Sequence, residues 1–128
     1  MILDTSAIVA VFFREPAFEE IVEKLASAPD VAIGAPTAAE TAIVVGARLG
    51  IDARGLVSRF LLEQRIAAVP FGDDHWRAAA DAHTRFGRGR HKAALNYGDC
   101  LTYAVAKLAG QPVLATGRDF ARTDLEVA

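Results

Sequence analysis

Short apolar runs alternate with longer stretches of helical periodicity along nearly the whole chain, and this alternation leaves few folds open. Met1-Ile2-Leu3, Val31-Ala32-Ile33, Ile66 to Phe71 and Pro112 to Ala115 read as strands. Between them, Ala7 to Phe13 reads as a mostly buried helix capped by Thr5 or Ser6, and Pro16 opens a second with Phe18, Ile21, Val22 and Leu25 on one face. A third runs from Gly34-Ala35-Pro36-Thr37 to about Leu49, and Asp52 caps a fourth bearing Leu56, Val57, Phe60 and Leu61. Asp73 or Asp74 caps a fifth bearing Trp76, Ala79, His83 and Phe86. Pro70 places the third strand at an edge or ends it. Leu125 to Val127 reads as a last short strand. Strands that alternate with helices build a parallel sheet covered on both faces. The expected fold is therefore α/β: a single-domain, three-layer sandwich over residues 1–128, with a short, mainly parallel sheet flanked by helices.

Composition agrees with a packed core. Of 128 residues, 52% are hydrophobic and 23% charged, which excludes a disordered chain. The longest apolar run near the start, Ala7 to Phe13, has seven residues, far short of a membrane span. No basic segment precedes it, so no secretory leader is expected. Cys100 stands alone and reads as a buried thiol in a reduced, cytoplasmic setting. Net charge is −2, yet Arg85, Arg88, Arg90 and Lys92 place four positive charges in one Gly-containing stretch, which leaves −6 on the rest.

The segment Asn96 to Lys107 carries the first sign of chemistry. Leu101, Ala104, Val105 and Leu108 follow the spacing of one buried helical face, and Gly110 with Pro112 ends the helix. Asn96 is the expected N-cap, which puts Asp99 in the first turn, at the positive end of the dipole. Ligands of parallel sheets bind outside the carboxyl ends of the strands. Asp4 directly follows the first strand, Glu40 lies near the start of the helix after the second, and Asp119 follows the strand ending at Ala115. The helix led by Asp99 runs antiparallel to its sheet, so its N-terminus meets the same edge.

Two carboxylates about 4 Å apart repel by roughly 4 kcal/mol at an effective dielectric of 20, so such a cluster calls for a cation. Oxygen ligands without paired Cys or His point to Mg²⁺, with Mn²⁺ as the alternative, rather than Zn²⁺. His75 and His83 share one predicted helix and His91 belongs to the basic stretch, none at metal-ligand spacing with the others. A carboxylate-held cation beside a flexible, arginine-bearing loop is suited to phosphoryl chemistry, with Arg making forked contacts to phosphate.

Met1-Ile2-Leu3-Asp4-Thr5-Ser6-Ala7-Ile8, Thr37-Ala38-Ala39-Glu40-Thr41 and Asn96-Tyr97-Gly98-Asp99-Cys100 resemble the three acidic motifs of PIN domains. The length and the Gly117-Arg118-Asp119-Phe120 stretch resemble VapC-type toxins of bacterial toxin–antitoxin pairs. The resemblance implies a Mg²⁺-dependent endoribonuclease, a small cognate antitoxin and a homodimer. It carries metal and catalytic roles onto Asp4, Glu40 and Asp99. The four positive charges of Arg85, Arg88, Arg90 and Lys92 are expected, from their clustering, to grip RNA backbone or antitoxin. One departure stands out. Family members often have an acid two residues before the Asp-Phe pair, and here that place is Gly117, so Asp119 or Asp124 substitutes or the site works with three acids. A haloacid dehalogenase-type phosphatase would need a second Asp where Ser6 stands, and a response-regulator receiver would need an acidic pair after the first strand. The remaining rival is a PIN-like RNA- or protein-binding module that does not cut.

Overall fold

The computed structural model describes residues 1–128. Its elements run β1 (Ile2–Leu3), α1 (Thr5–Phe12), α2 (Phe18–Ser27), β2 (Ala32–Gly34), α3 (Ala35–Leu49), α4 (Arg54–Glu63), β3 (Ala67–Val69), α5 (Asp73–Phe86), α6 (Tyr97–Ala109) and β4 (Val113–Leu114), then a 3-10 turn at Phe120–Arg122. The strands lie in the order β3-β2-β1-β4 and every neighbouring pair is parallel. The layers follow from the two-residue period of a strand. Ile2 and Val113 face a core shared with Phe86, Leu95, Tyr103 and Val105 from the α5–α6 side. Leu3, Ile33 and Leu114 face the opposite way, onto Ile8, Ile21 and Leu25 of α1 and α2. Phe60 of α4 packs on that second core and meets Phe12 at 5.3 Å between ring centres. The three-layer sandwich expected from the alternation is the fold found.

Strand order reverses between β1 and β4. In parallel sheets the crevice at such a reversal is where ligands sit, because the helices after the two strands leave on opposite faces. Asp4 closes β1 at this point. No helix is long and apolar enough to cross a membrane.

Several ends differ from expectation. Asp4 itself is the N-cap of α1: it is extended, and its side chain accepts from the Ser6 N–H, so Thr5 and Ser6 already lie inside the helix. Asp52 sits one residue before the N-cap Ala53, where it accepts from the Arg54 N–H at 3.0 Å and pairs with the Arg54 guanidinium at 2.7 Å. Gly72 takes the N-cap of α5, its N–H donating to His75 Nδ1 at 3.1 Å. The strand expected at Leu125 to Val127 is a single parallel bridge, Val113 to Val127, that covers the outer edge of β4. The third strand is shorter than expected, and it is indeed the other edge of the sheet.

Candidate active site

The site is built on Asp4, a carboxylate only 5% exposed. Its Oδ2 accepts from the Ser6 N–H at 3.0 Å and the Ser6 hydroxyl at 2.6 Å. Its Oδ1 accepts from the Thr102 hydroxyl at 2.8 Å, a bond that ties the end of β1 to α6. The Ser6 hydroxyl in turn accepts from the Thr116 N–H at 3.0 Å, just past β4. Three donors, two hydroxyls and one amide, fix this carboxylate's position.

Glu40 reaches the same crevice from α3, where the Thr5 hydroxyl donates to its Oε1. Thr41 joins this contact to Thr37, donating to the Thr37 carbonyl at 2.8 Å, and the Thr37 and Thr102 hydroxyls lie 3.3 Å apart. Thr37, Thr41 and Thr102 are all buried. A layer of buried hydroxyls therefore connects the supports of Asp4 and Glu40. A faint signal for it lies in the spacing, since Ser6, Thr37 and Thr102 each stand two or three residues from an acid.

Asp99 stands in the first turn of α6, as its position after Asn96 predicts. The Asn96 side chain accepts from the Asp99 N–H at 2.8 Å, and Asp99 Oδ2 accepts from the Asn96 N–H at 3.0 Å, a reciprocal capping box. Gly98 makes room for the approach of α3. A Cβ there would lie 3.0 Å from the Glu40 carboxyl carbon and overlap its oxygens, so any larger residue would push the Glu40 carboxylate aside. Burial pushes the Asp99 carboxyl up to about 6 against the pull of the Asn96 N–H, and the charges of Asp4, Asp119 and Glu40 push it the same way. The four acids named from the sequence share one electrostatic neighbourhood.

They do not close into a finished coordination set: no three acidic, histidine or cysteine side chains stand together at metal-holding distances. The geometry and the charge coupling are compatible. Glu40 is held by Thr5 and Asp99 by Asn96. The donor chemistry suits a hard cation, since every acid side chain facing the crevice offers oxygen.

Asp119 and Asp124 part company. Asp119 precedes the turn at Phe120, its side chain makes no capping bond, and its charge is felt by Asp99. Asp124 is bound elsewhere: it accepts from the Tyr103 hydroxyl at 2.7 Å and from Lys107 at 2.8 Å, and pairs with Arg85 at 3.4 Å. Gly117 has φ +81°, a left-handed conformation in which an Asp side chain would be strained. The turn that replaces the absent acid is thus one that an acid fits poorly.

The basic stretch is more ordered than a flexible connector. Arg88 N–H donates to the Leu95 carbonyl at 3.1 Å and Leu95 N–H to Phe86 at 3.0 Å, which closes its base, while Ala93 and Leu95 are buried. Arg88, Arg90 and Lys92 are exposed, with no salt bridge. Arg85 lies instead on α5, held by Asp81 at 3.3 Å and by Asp124, so its charge is already engaged. The Cys100 thiol is buried, and burial pushes it up to about 11, as an inert core thiol requires.

A family model described as PIN domain matches residues 1–126. The chain belongs to the PIN-domain family. Its relatives place it in the VapC branch: "VapC ribonuclease Mb2004c" of Mycobacterium bovis is 46% identical over 127 residues, covering 98% of this chain and 91% of the relative. "Ribonuclease VapC" of Mycolicibacterium smegmatis is 40% identical over 125 residues, covering 98% and 97%. The fold is also that of Mycobacterium tuberculosis VapC20, described as a sarcin-ricin loop cleaving toxin, with a TM-score of 0.79 at 19% identity over 99% of this chain and 97% of that one. A toxin–antitoxin complex from Klebsiella pneumoniae gives a TM-score of 0.72 at 19% identity, covering 99% and 95%. In this PIN domain the acidic crevice lies where the sheet order reverses.

Proposed function

We propose that this PIN domain is an endoribonuclease, the toxin of a toxin–antitoxin pair, that cuts RNA phosphodiester bonds at the crevice of Asp4, Glu40, Asp99 and Asp119. The observation that carries the reading is Asp99: a half-buried carboxylate pushed up to about 6, beside three other acids and with no cation of the protein facing it. Asp4, Glu40 and Asp99 would hold Mg²⁺, or Mn²⁺ in its place. Such an ion, when bound, lowers the pKa of water and offsets charge developing on phosphate oxygens. The chain's own residues do the rest. Ser6 and Thr102 keep Asp4 in position, and Thr5 keeps Glu40 in position. Asp119, exposed at the mouth, orients the attacking water, whose oxygen bonds to phosphorus as the bond to the leaving sugar oxygen breaks. Arg88, Arg90 and Lys92 take the RNA backbone or an acidic segment of the antitoxin. The same reading makes a second copy of the chain and the antitoxin its protein partners, in a reduced cytoplasm.

A binding module that does not cut is the second reading, favoured by Gly117, which stands where family members often have an acid. Purified protein incubated with mixed cellular RNA, with Mg²⁺ and with chelator, separates the two. Fragments with Mg²⁺ alone support the nuclease; intact RNA in both buffers, with retained binding, leaves the module.

A further inference from the structure

A hollow of about 430 Å³ opens between α5 and α6, and nothing in the acidic crevice accounts for it. Its lining is mainly apolar: Leu95 and Cys100, both buried, form part of it, and Trp76, Tyr97, His83 and Arg88 also face it. Two of these are large aromatics left in solvent: Tyr97 is 79% exposed and Trp76 51%. Neither exposure benefits the fold, because a ring in water forgoes the burial that makes aromatics stabilising. One face of Trp76 has the Arg77 guanidinium 4.5 Å from the ring centre, and its indole N–H donates to Asp73 at 3.3 Å, which holds the ring in place. Tyr97 is two residues ahead of Asp99 in the same helical turn.

We propose that this hollow is a base-binding subsite, in which one unpaired nucleobase of the RNA strand stacks on Tyr97 and Trp76 next to the bond presented to the Asp99 turn. The proposal rests on the nuclease reading for its substrate. Aromatic faces bind any base by stacking, and a nearby cation takes the adjoining phosphate. Arg88 supplies that cation from within the lining, with Arg90 and Lys92 on the same exposed stretch. The volume falls in the range of a small-molecule site. Arg88 in the lining, and Asn96, which lines the hollow and caps the turn that carries Asp99, favour a nucleotide over an apolar segment of a partner protein. A paired base cannot leave its stack to enter, so the subsite selects single-stranded or looped RNA.

The test uses an unstructured oligoribonucleotide carrying 2-aminopurine, titrated with full-length protein in chelator, followed by cleavage of the same strand with Mg²⁺. Stacking in the hollow quenches the base's fluorescence. Tyr97→Leu, which keeps apolar bulk but loses the aromatic face, should remove most of the quench and weaken binding about 10-fold, the size of one lost stacking contact. Tyr97→Phe should behave as wild type, and thermal melts of both should match wild type because the side chain is exposed. Equal quench and affinity in Tyr97→Leu overturns the proposal. So does a Tyr97→Leu protein that loses self-association while its quench is intact, which would make the hollow a protein–protein surface. Wild type that quenches without cleaving sinks the nuclease reading alone; wild type that cleaves without quenching sinks the subsite alone.

Discussion

Asp99 and Asp124 are the same residue in opposite surroundings. Burial pushes Asp99 up to about 6, and Asp4, Asp119 and Glu40 add to that push. Asp124 is brought down to about 2 against its own burial, by hydrogen bonds from Lys107 and Tyr103 and the charges of Lys107 and Arg85. One acid is supplied with donors and cations by its own fold. The other receives one backbone N–H and is otherwise left among acids. A carboxylate paired with the chain's own cations is a structural one, whereas acids held only by hydroxyls and amides, with no cation of the protein beside them, are suited to a cation from outside.

The largest expected effect is on cleavage. Asp99→Asn should lower the rate by about 100-fold or more, because ion and water would be poorly held, while Asp124→Asn should leave the rate of folded protein unchanged. Asp119→Asn should fall between them, with a loss of tens-fold. Gel-resolved RNA cleavage under single-turnover conditions checks all three. If Asp124→Asn lost activity as Asp99→Asn does, the division between the two acids would collapse.

Stability should respond to metal at one acid only. At a hundred times the dissociation constant, Mg²⁺ should stabilise wild type by about 2.7 kcal/mol by mass action. Asp99→Asn should gain much less and melt at or above wild type in chelator, since repulsion is relieved. Melting curves in the two buffers would count against the cation site if the mutant melted lower by the same amount in both.

The pH dependence should have opposite signs at the two acids. Asp99 binds its proton more tightly folded, at about 6, than at the usual 3.8, so metal-free stability falls as pH rises from about 4 to 6. The loss is of the order of 2 kcal/mol. Asp124 binds its proton less tightly folded, so its contribution is present above about pH 4 and lost as pH falls towards 2. With its side chain 35% exposed, solvent screening reduces that contribution to about 1 kcal/mol. Chelator-treated Asp99→Asn should lose the first limb and Asp124→Asn the second, as urea midpoints from pH 3 to 8 would reveal. A limb that persists in its own mutant belongs to another group.

The smallest effect sharpens the same contrast among cations. Arg85 is engaged by Asp81 and Asp124, while Arg88 and Arg90 are free. Replacing Arg88 and Arg90 with Ala should lower the slope of log affinity for RNA against log salt by about 1.4, at roughly 0.7 per phosphate on a single strand. Arg85→Ala should leave the slope alone. An unchanged slope in the double mutant would make that stretch a scaffold rather than a grip.

The alternation of strands and helices, and the order of acids along it, were legible in the chain because both are local. A two-residue period puts Ile2 and Leu3 on opposite faces, and a capped helix start puts Asp99 in a first turn whatever lies around it. Relations between segments distant in sequence were not legible. That Thr102 supports Asp4 across 98 residues, that Arg85 belongs to Asp124, and that Trp76 and Tyr97 share one hollow all depend on how α5 and α6 pack. Cap identities shifted for a nearer reason: Asp4 and Asp52 took amide donors two residues ahead, which the pattern of apolar positions does not encode. The sequence alone determined which residues could supply charge and which faces must be buried. Tertiary structure decided which charges are answered within the protein, because that depends on distances of a few ångströms between chain segments that only packing brings together.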